Sequence, residues 1–142
     1  MAFTGNYTCN SFLTGLMNGS FDFTSGTFKI ALYTNAASLN QNTTAFTTTG
    51  ETTGNGYVAG GKVLTIGVVP TNSNDVSFFS FDDISWTGST FTARGALIYK
   101  YNGTTNPAVC VLDFGSDKTT TNGNFTVQFP SATSTSAVIR IS

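Results

Sequence analysis

Residues 90–101 read TFTARGALIYKY and residues 108–114 read AVCVLDF, with Asn102-Gly103 and Pro107 between them. Turn-forming residues between two β-branched and aromatic runs are the local signature of a hairpin, and this one decides the fold class. If residue 97 pairs with residue 111, then Leu97, Tyr99, Val109 and Val111 share one face, and Ile98, Cys110, Leu112 and Phe114 share the other. Both faces are apolar. An antiparallel sheet with one face in water alternates apolar with polar, so this hairpin is expected to be covered twice. One cover is a second sheet. For the other, the sequence offers an N-terminal helix with Phe12, Leu16 and Met17, ahead of a neighbouring subunit.

Outward from the hairpin the apolar period is two. Residues 27–33 (TFKIALY) place Phe28, Ile30 and Leu32 on one face. Gly60-Gly61 suggests a bulge or turn before a strand over 62–69, which Pro70 ends. Residues 75–81 and 83–86 read as strands, Gly88-Ser89 as a turn into 90–101, and 125–129 and 137–141 as the closing strands. Residues 10–18 (NSFLTGLMN) are the one helical stretch, capped by Asn10 or Ser11, weakened by Gly15 and stopped by Gly19. The polar run over 34–55 has only Leu39 and Phe46 as large apolar residues, so it reads as a long surface loop carrying candidate contacts. The sum is an all-β chain: an antiparallel β-sandwich or jelly roll of about seven to nine strands with one short N-terminal helix, in a single domain over 1–142.

Composition narrows the function. The 142 residues include no histidine, two cysteines and seven carboxylates, and charged residues are 9 % of the chain. Without imidazole there is no Ser-His-Asp or Cys-His catalysis. A glycosidase needs two facing carboxylates, and nothing in the spacing of Asp22, Glu51, Asp75, Asp82, Asp83, Asp113 and Asp117 marks such a pair. Asp82-Asp83 reads as a solvated turn. No phosphate loop, dinucleotide fingerprint or zinc spacing occurs, so no cofactor and no metal are expected. The six basic residues are scattered and the net charge is −1, which speaks against nucleic acid. No apolar run is long enough to span a bilayer, and the N-terminus lacks a signal-peptide pattern, so the chain reads as made in a cytoplasm with no membrane partner. Cys9 and Cys110 then read as reduced thiols, and the five Asn-x-Ser/Thr tripeptides as chance matches in an Asn- and Thr-rich sequence.

A few residues stand out. Trp86, in ISWTG, reads as a core anchor, with an exposed sugar-stacking platform as the alternative. Arg94 and Asp113 fall near each other in the proposed hairpin, as a structural clamp. Residues 1–10 form a candidate contact arm with Phe3 and Tyr7 exposed unless docked, and together with Leu39 and Phe46 these make the candidate interface.

The segments FDFTSGTFKIALYTNAASLN, GNGYVAGGKVLTI, ISWTGSTFTARGALIYKYN and AVCVLDFGSDKTTTNGNFTVQFP resemble a family of small β-rich proteins encoded among the structural genes of tailed bacteriophages, from about Ser11 to the C-terminus. TARGALIY and LDFGSDKTTTNGNFTVQFP are the most distinctive words. The resemblance implies a virion component with no catalytic motif to carry over. It suggests a capsid decoration or cement protein, homo-oligomeric, with the major capsid protein or other virion proteins as partners. A tail or fibre-attachment component and a host-surface carbohydrate-binding module are the alternatives.

Overall fold

A computed structural model describes residues 3–141. The chain runs β1 (Tyr7–Thr8), α1 (Asn10–Met17), β2 (Phe28–Tyr33), β3 (Lys62–Val63), β4 (Ile66–Ser73), β5 (Val76–Phe81), β6 (Ile84–Lys100), β7 (Ala108–Val127) and β8 (Ile139–Ile141). Five strands form one sheet in the order β1-β7-β6-β2-β3, and three form a second in the order β4-β5-β8. Every pairing is antiparallel. The architecture is the all-β sandwich that the strand pattern predicts.

The β6–β7 hairpin pairs Leu97 with Val111 and Ile98 with Cys110; the register then slips, so that Tyr99 faces Ala108 and Val109 is the extra residue. Leu97, Ile98, Tyr99, Val109 and Val111 are all fully buried, which shows that both faces are covered. On one face lie Phe28 and Ile30 of β2 beside Ile98. There Phe23 stacks on Phe28 and on Phe79 of β5, with ring centres 4.4 and 3.9 Å apart, and Phe12 of α1 meets Phe21 and Phe23 edge-on. The helix and the small sheet therefore share this face, and Met17, 90 % exposed, takes no part.

The opposite face is covered by neither the helix nor another subunit. Residues 34–61 lie over it. Phe46 stacks on Tyr99 at 4.8 Å and Tyr57 on Trp86 at 6.3 Å. Hydrogen bonds fasten this segment down. The Tyr33 hydroxyl donates to Thr47 O (2.7 Å), the Tyr99 hydroxyl to Gly60 O (2.6 Å), and Glu51 Oε2 accepts from the Tyr57 hydroxyl (2.6 Å) and the Gly60 N–H (2.7 Å). Desolvation raises all three phenol pKa values, with the Glu51 charge adding to it, and Tyr99 is pushed up to about 12. These hydroxyls stay protonated and remain donors. The long connection is thus a lid that forms part of the core.

Several local expectations are corrected. Pro70 does not end a strand; it sits inside β4, an edge strand whose register slips between Val68 and Thr71, the one setting where a sheet tolerates a missing N–H. Gly88-Ser89 is not a turn. The chain stays in β6 and bulges there, with the buried Ser89 hydroxyl 2.9 Å from Gly123 O on the paired strand. Residues 125–129 are not a separate strand, because β7 runs unbroken as far as Val127. At the helix start neither Asn10 nor Ser11 caps. Cys9 holds the N-cap position with no side-chain bond, while the Asn10 amide donates to Asn42 Oδ1 and the Ser11 hydroxyl lies 3.3 Å from Ala108 O.

The helix ends as the sequence implies. Gly19 takes a left-handed φ of 78° and the Ser20 N–H reaches back 2.8 Å to Gly15 O, closing a Schellman motif. Gly15 itself is there for packing, since a Cβ at that position would run into the Phe21 ring. In an open helix Gly→Ala stabilises by roughly 0.5–1 kcal/mol. Gly15→Ala should instead destabilise this protein by roughly 1–3 kcal/mol through overpacking, read as a lower urea midpoint with unchanged m.

Candidate functional site

The residues expected to form an exposed interface turn inward. Phe3 is 1 % exposed, with its ring against Gly95, where a Cβ would collide with it, and with the Arg94 guanidinium 5.6 Å from its centre. Tyr7 is half-buried and its strand β1 pairs with Val111 and Cys110. The contact arm is therefore corrected to a segment of the fold over residues 3–10; Met1 and Ala2 lie outside the described residues. The same correction holds for Leu39, 2 % exposed, and for Phe46, half-buried on Tyr99. The physical reason is common to all four. A large apolar side chain in a polar stretch gains more by filling a gap in the nearby core than by waiting in water for a partner.

Arg94 and Asp113 form an ion pair between β6 and β7, just where the four residues 114–117 of β7 stand against Arg94 alone and bulge out. Desolvation pushes the Asp113 carboxyl upward, but the hydrogen bonds from Arg94 and the Gly115 N–H, with the Arg94 charge, outweigh it and hold the group below its ordinary value. The Asp113 N–H also donates to Asn6 Oδ1 (2.6 Å), so the pair ties β1, β6 and β7 together beneath Phe3.

Trp86 is 1 % exposed, packed edge-on against Phe91 and Phe125 and beneath Tyr57. Its indole Nε1 has no hydrogen-bond partner among the described residues. It offers no face for a sugar. Among the tyrosines, Tyr57 and Tyr99 belong to the lid contact, and Tyr101, 45 % exposed, lies under the Lys29 ammonium at 4.3 Å.

Cys9 and Cys110 are buried free thiols. Desolvation pushes Cys9 up to about 11, and desolvation with the neighbouring Cys9 pushes Cys110 higher still, so neither is a nucleophile near neutrality.

Four of the seven carboxylates take structural roles. Asp22 accepts from the N–H (2.8 Å) and hydroxyl (2.5 Å) of Thr24 and from the Ser25 hydroxyl (2.7 Å); Glu51 fastens the lid; Asp83 accepts the Phe129 N–H (2.8 Å); Asp113 holds Arg94. Among the described residues no three of His, Cys, Asp and Glu come together as a metal site, and no helix is long and apolar enough to cross a membrane. The Thr24 and Ser25 bonds hold Asp22 down at about 2, from an ordinary 3.8. A depressed carboxyl contributes stability that is complete above its unfolded value and is lost as pH falls through the folded one. The turn at 22–25 should therefore weaken between about pH 3.8 and about pH 2, and Asp22→Ala should flatten that part of the acid titration followed by circular dichroism.

What remains on the surface is hydroxyl and amide. The far half of the β6–β7 ribbon has one face packed on Trp86, Phe91 and Phe125. Its other face pairs Ser85 with Thr126 (2.7 Å) and Thr92 with Thr119 (2.8 Å) through their hydroxyls. Thr87, Thr119, Thr121, Asn124 and Thr126 are exposed in this half. An apolar groove opens between α1 and the small sheet, lined by Leu16, Phe21, Phe78 and Ile141 among others. Neither surface was singled out by sequence reasoning, because each depends on which strands run past the edge of a neighbour. No family model matches this chain, and neither do any of the curated proteins or solved structures compared with it.

Proposed function

We propose that this chain is a non-enzymatic structural protein of a tailed-phage virion, acting on the capsid shell as a decoration or cement protein. One observation carries the reading: four of the seven carboxylates, Asp22, Glu51, Asp83 and Asp113, accept internal hydrogen bonds as staples of the fold, while the exposed ribbon is mainly threonine and asparagine. Such a surface suits broad, hydrogen-bonded contact with another protein that depends little on salt. Contacts that are individually weak become lasting when repeated over the symmetric sites of a shell. The resemblance of TARGALIY and LDFGSDKTTTNGNFTVQFP to phage structural proteins supports the same assignment.

The test is mass spectrometry and cryo-electron microscopy of purified virions carrying this gene. Peptides of the chain, with density of its size in symmetric copies over the capsid lattice, are the expected result. A few copies at the tail would move the role to a tail or fibre-attachment component, and absence from the particle would refute a virion role. The carbohydrate-binding reading loses its main support with Trp86 buried.

A further inference from the structure

The chain closes the long edges of its five-stranded sheet itself, with one exception. The outer edge of β2 takes β3, and beyond it the Thr52 N–H donates to Leu32 O while the Leu32 N–H donates to the Tyr57 hydroxyl oxygen. The outer edge of the far half of β6 takes the end of the lid: the Thr90 N–H donates to Asn55 O, and Lys62 Nζ reaches Ser85 O. β7 has no such cover. β1 pairs only with Val111 and Cys110, Asn6 holds the Asp113 N–H, and the chain then turns away to bury Phe3. Over residues 118–127, β7 pairs with β6 on one side, and among the described residues no other strand pairs with it on the other.

A groove runs along this open edge, and every residue that lines it, from Phe114 to Val127, belongs to β7 or is the following Gln128. A groove walled by a single strand has the form of an unfilled strand position. Other edges of the molecule are blunted in the usual ways: β4 by Pro70, β8 by its three-residue length. The edge of residues 118–127 carries two register shifts against β6, one on each side of Gly123, and Asn122 there takes a φ of 48°.

We propose that residues 118–127 of β7 form a homodimer interface, in which two copies pair these edges antiparallel about a two-fold axis and join their five-stranded sheets into one. The observations favour a second copy as occupant. An isologous pairing satisfies both edges at once and then stops, giving a closed dimer instead of a fibre. Lys118 is the only charge on the edge and stands at one end, so antiparallel overlap along the full length sets it against the uncharged far end of its partner and keeps the two ammonium groups apart. A strongly acidic or basic peptide would find no matching countercharge. Exposed Thr119, Thr121, Asn124 and Thr126 supply cross-strand hydrogen-bonding partners for their own copies.

The test is sedimentation velocity of the full chain over a wide concentration range, with amide hydrogen exchange read at 118–127. The expected result is a monomer–dimer equilibrium in which alternate amides of 118–127 become protected as dimer forms. Thr121→Lys with Asn124→Lys places two more cations on each edge at exposed positions. This double variant should keep the circular dichroism spectrum and raise the dimer dissociation constant at least ten-fold, with partial recovery at high salt. A chain that stays monomeric at all concentrations overturns the proposal, as does a dimer that the double variant leaves intact or whose exchange protection lies elsewhere. The inference rests on edge geometry alone, so absence of the protein from virions would leave it standing, and a monomer would leave the virion reading untouched.

Discussion

Phe3→Ala should lower the stability of this protein by about 3–5 kcal/mol, the range for removing a buried aromatic ring. In a chain of this size each kcal/mol moves the melting temperature by roughly 2–4 °C, so the loss is easily read in a thermal melt. Phe3 is 1 % exposed and fills the space over Gly95, whose missing side chain makes room for the ring. The Arg94 guanidinium lies against it, and the Arg94–Asp113 pair is held from the other side by Asn6. Truncation therefore opens a cavity and also lets water reach the ion pair. An N-terminal contact arm would behave in the opposite way, leaving the melting temperature unchanged and altering only assembly. Gly95→Ala should also destabilise, because its Cβ would collide both with the Phe3 ring and with the Leu112 carbonyl oxygen.

Trp86→Ala should cost a similar amount, about 3–5 kcal/mol, whereas Trp86→Phe should cost no more than about 1–2 kcal/mol. The difference follows from the indole nitrogen. Trp86 packs against Phe91, Phe125 and Tyr57, but its Nε1 is buried without a hydrogen-bond partner among the described residues. Replacing a tryptophan that donates a bond forfeits that bond as well as volume; here phenylalanine gives up volume alone and removes an unsatisfied donor. Urea unfolding of the two variants separates the cases, and a large loss in Trp86→Phe would mean that the nitrogen has a partner after all.

The central hairpin was legible because it is local. Leu97 and Val111 pair as the alternation predicts, and the helix over residues 10–17 ends at Gly19 for reasons contained in a few neighbouring residues. The errors arose where a residue with two meanings was read by its commoner one. Pro70 stops most strands but is accepted on the slipped edge of β4, and Gly88-Ser89 turns most chains but makes a bulge where Ser89 bonds across to Gly123. The Arg94–Asp113 pair could be placed because the hairpin register that positions it was itself local, and Trp86 because its apolar neighbour Ile84 lies on the same strand. Phe3, Tyr7, Leu39 and Phe46 could not, since their partners lie far along the chain.

The sequence by itself determined that this is an antiparallel β-sandwich with one helix, and that both faces of its central hairpin are covered, since periodicity records whether a side chain meets water. Only the tertiary structure decided what does the covering. Residues 34–61 lie on one face, the helix and small sheet on the other, and Phe3 plugs the end. It also decided that, among the described residues, 118–127 of β7 pair with a strand on one side only. Burial is written into each position of a strand, but the identity of the segment that buries it depends on contacts between distant parts of the chain, which no local pattern carries.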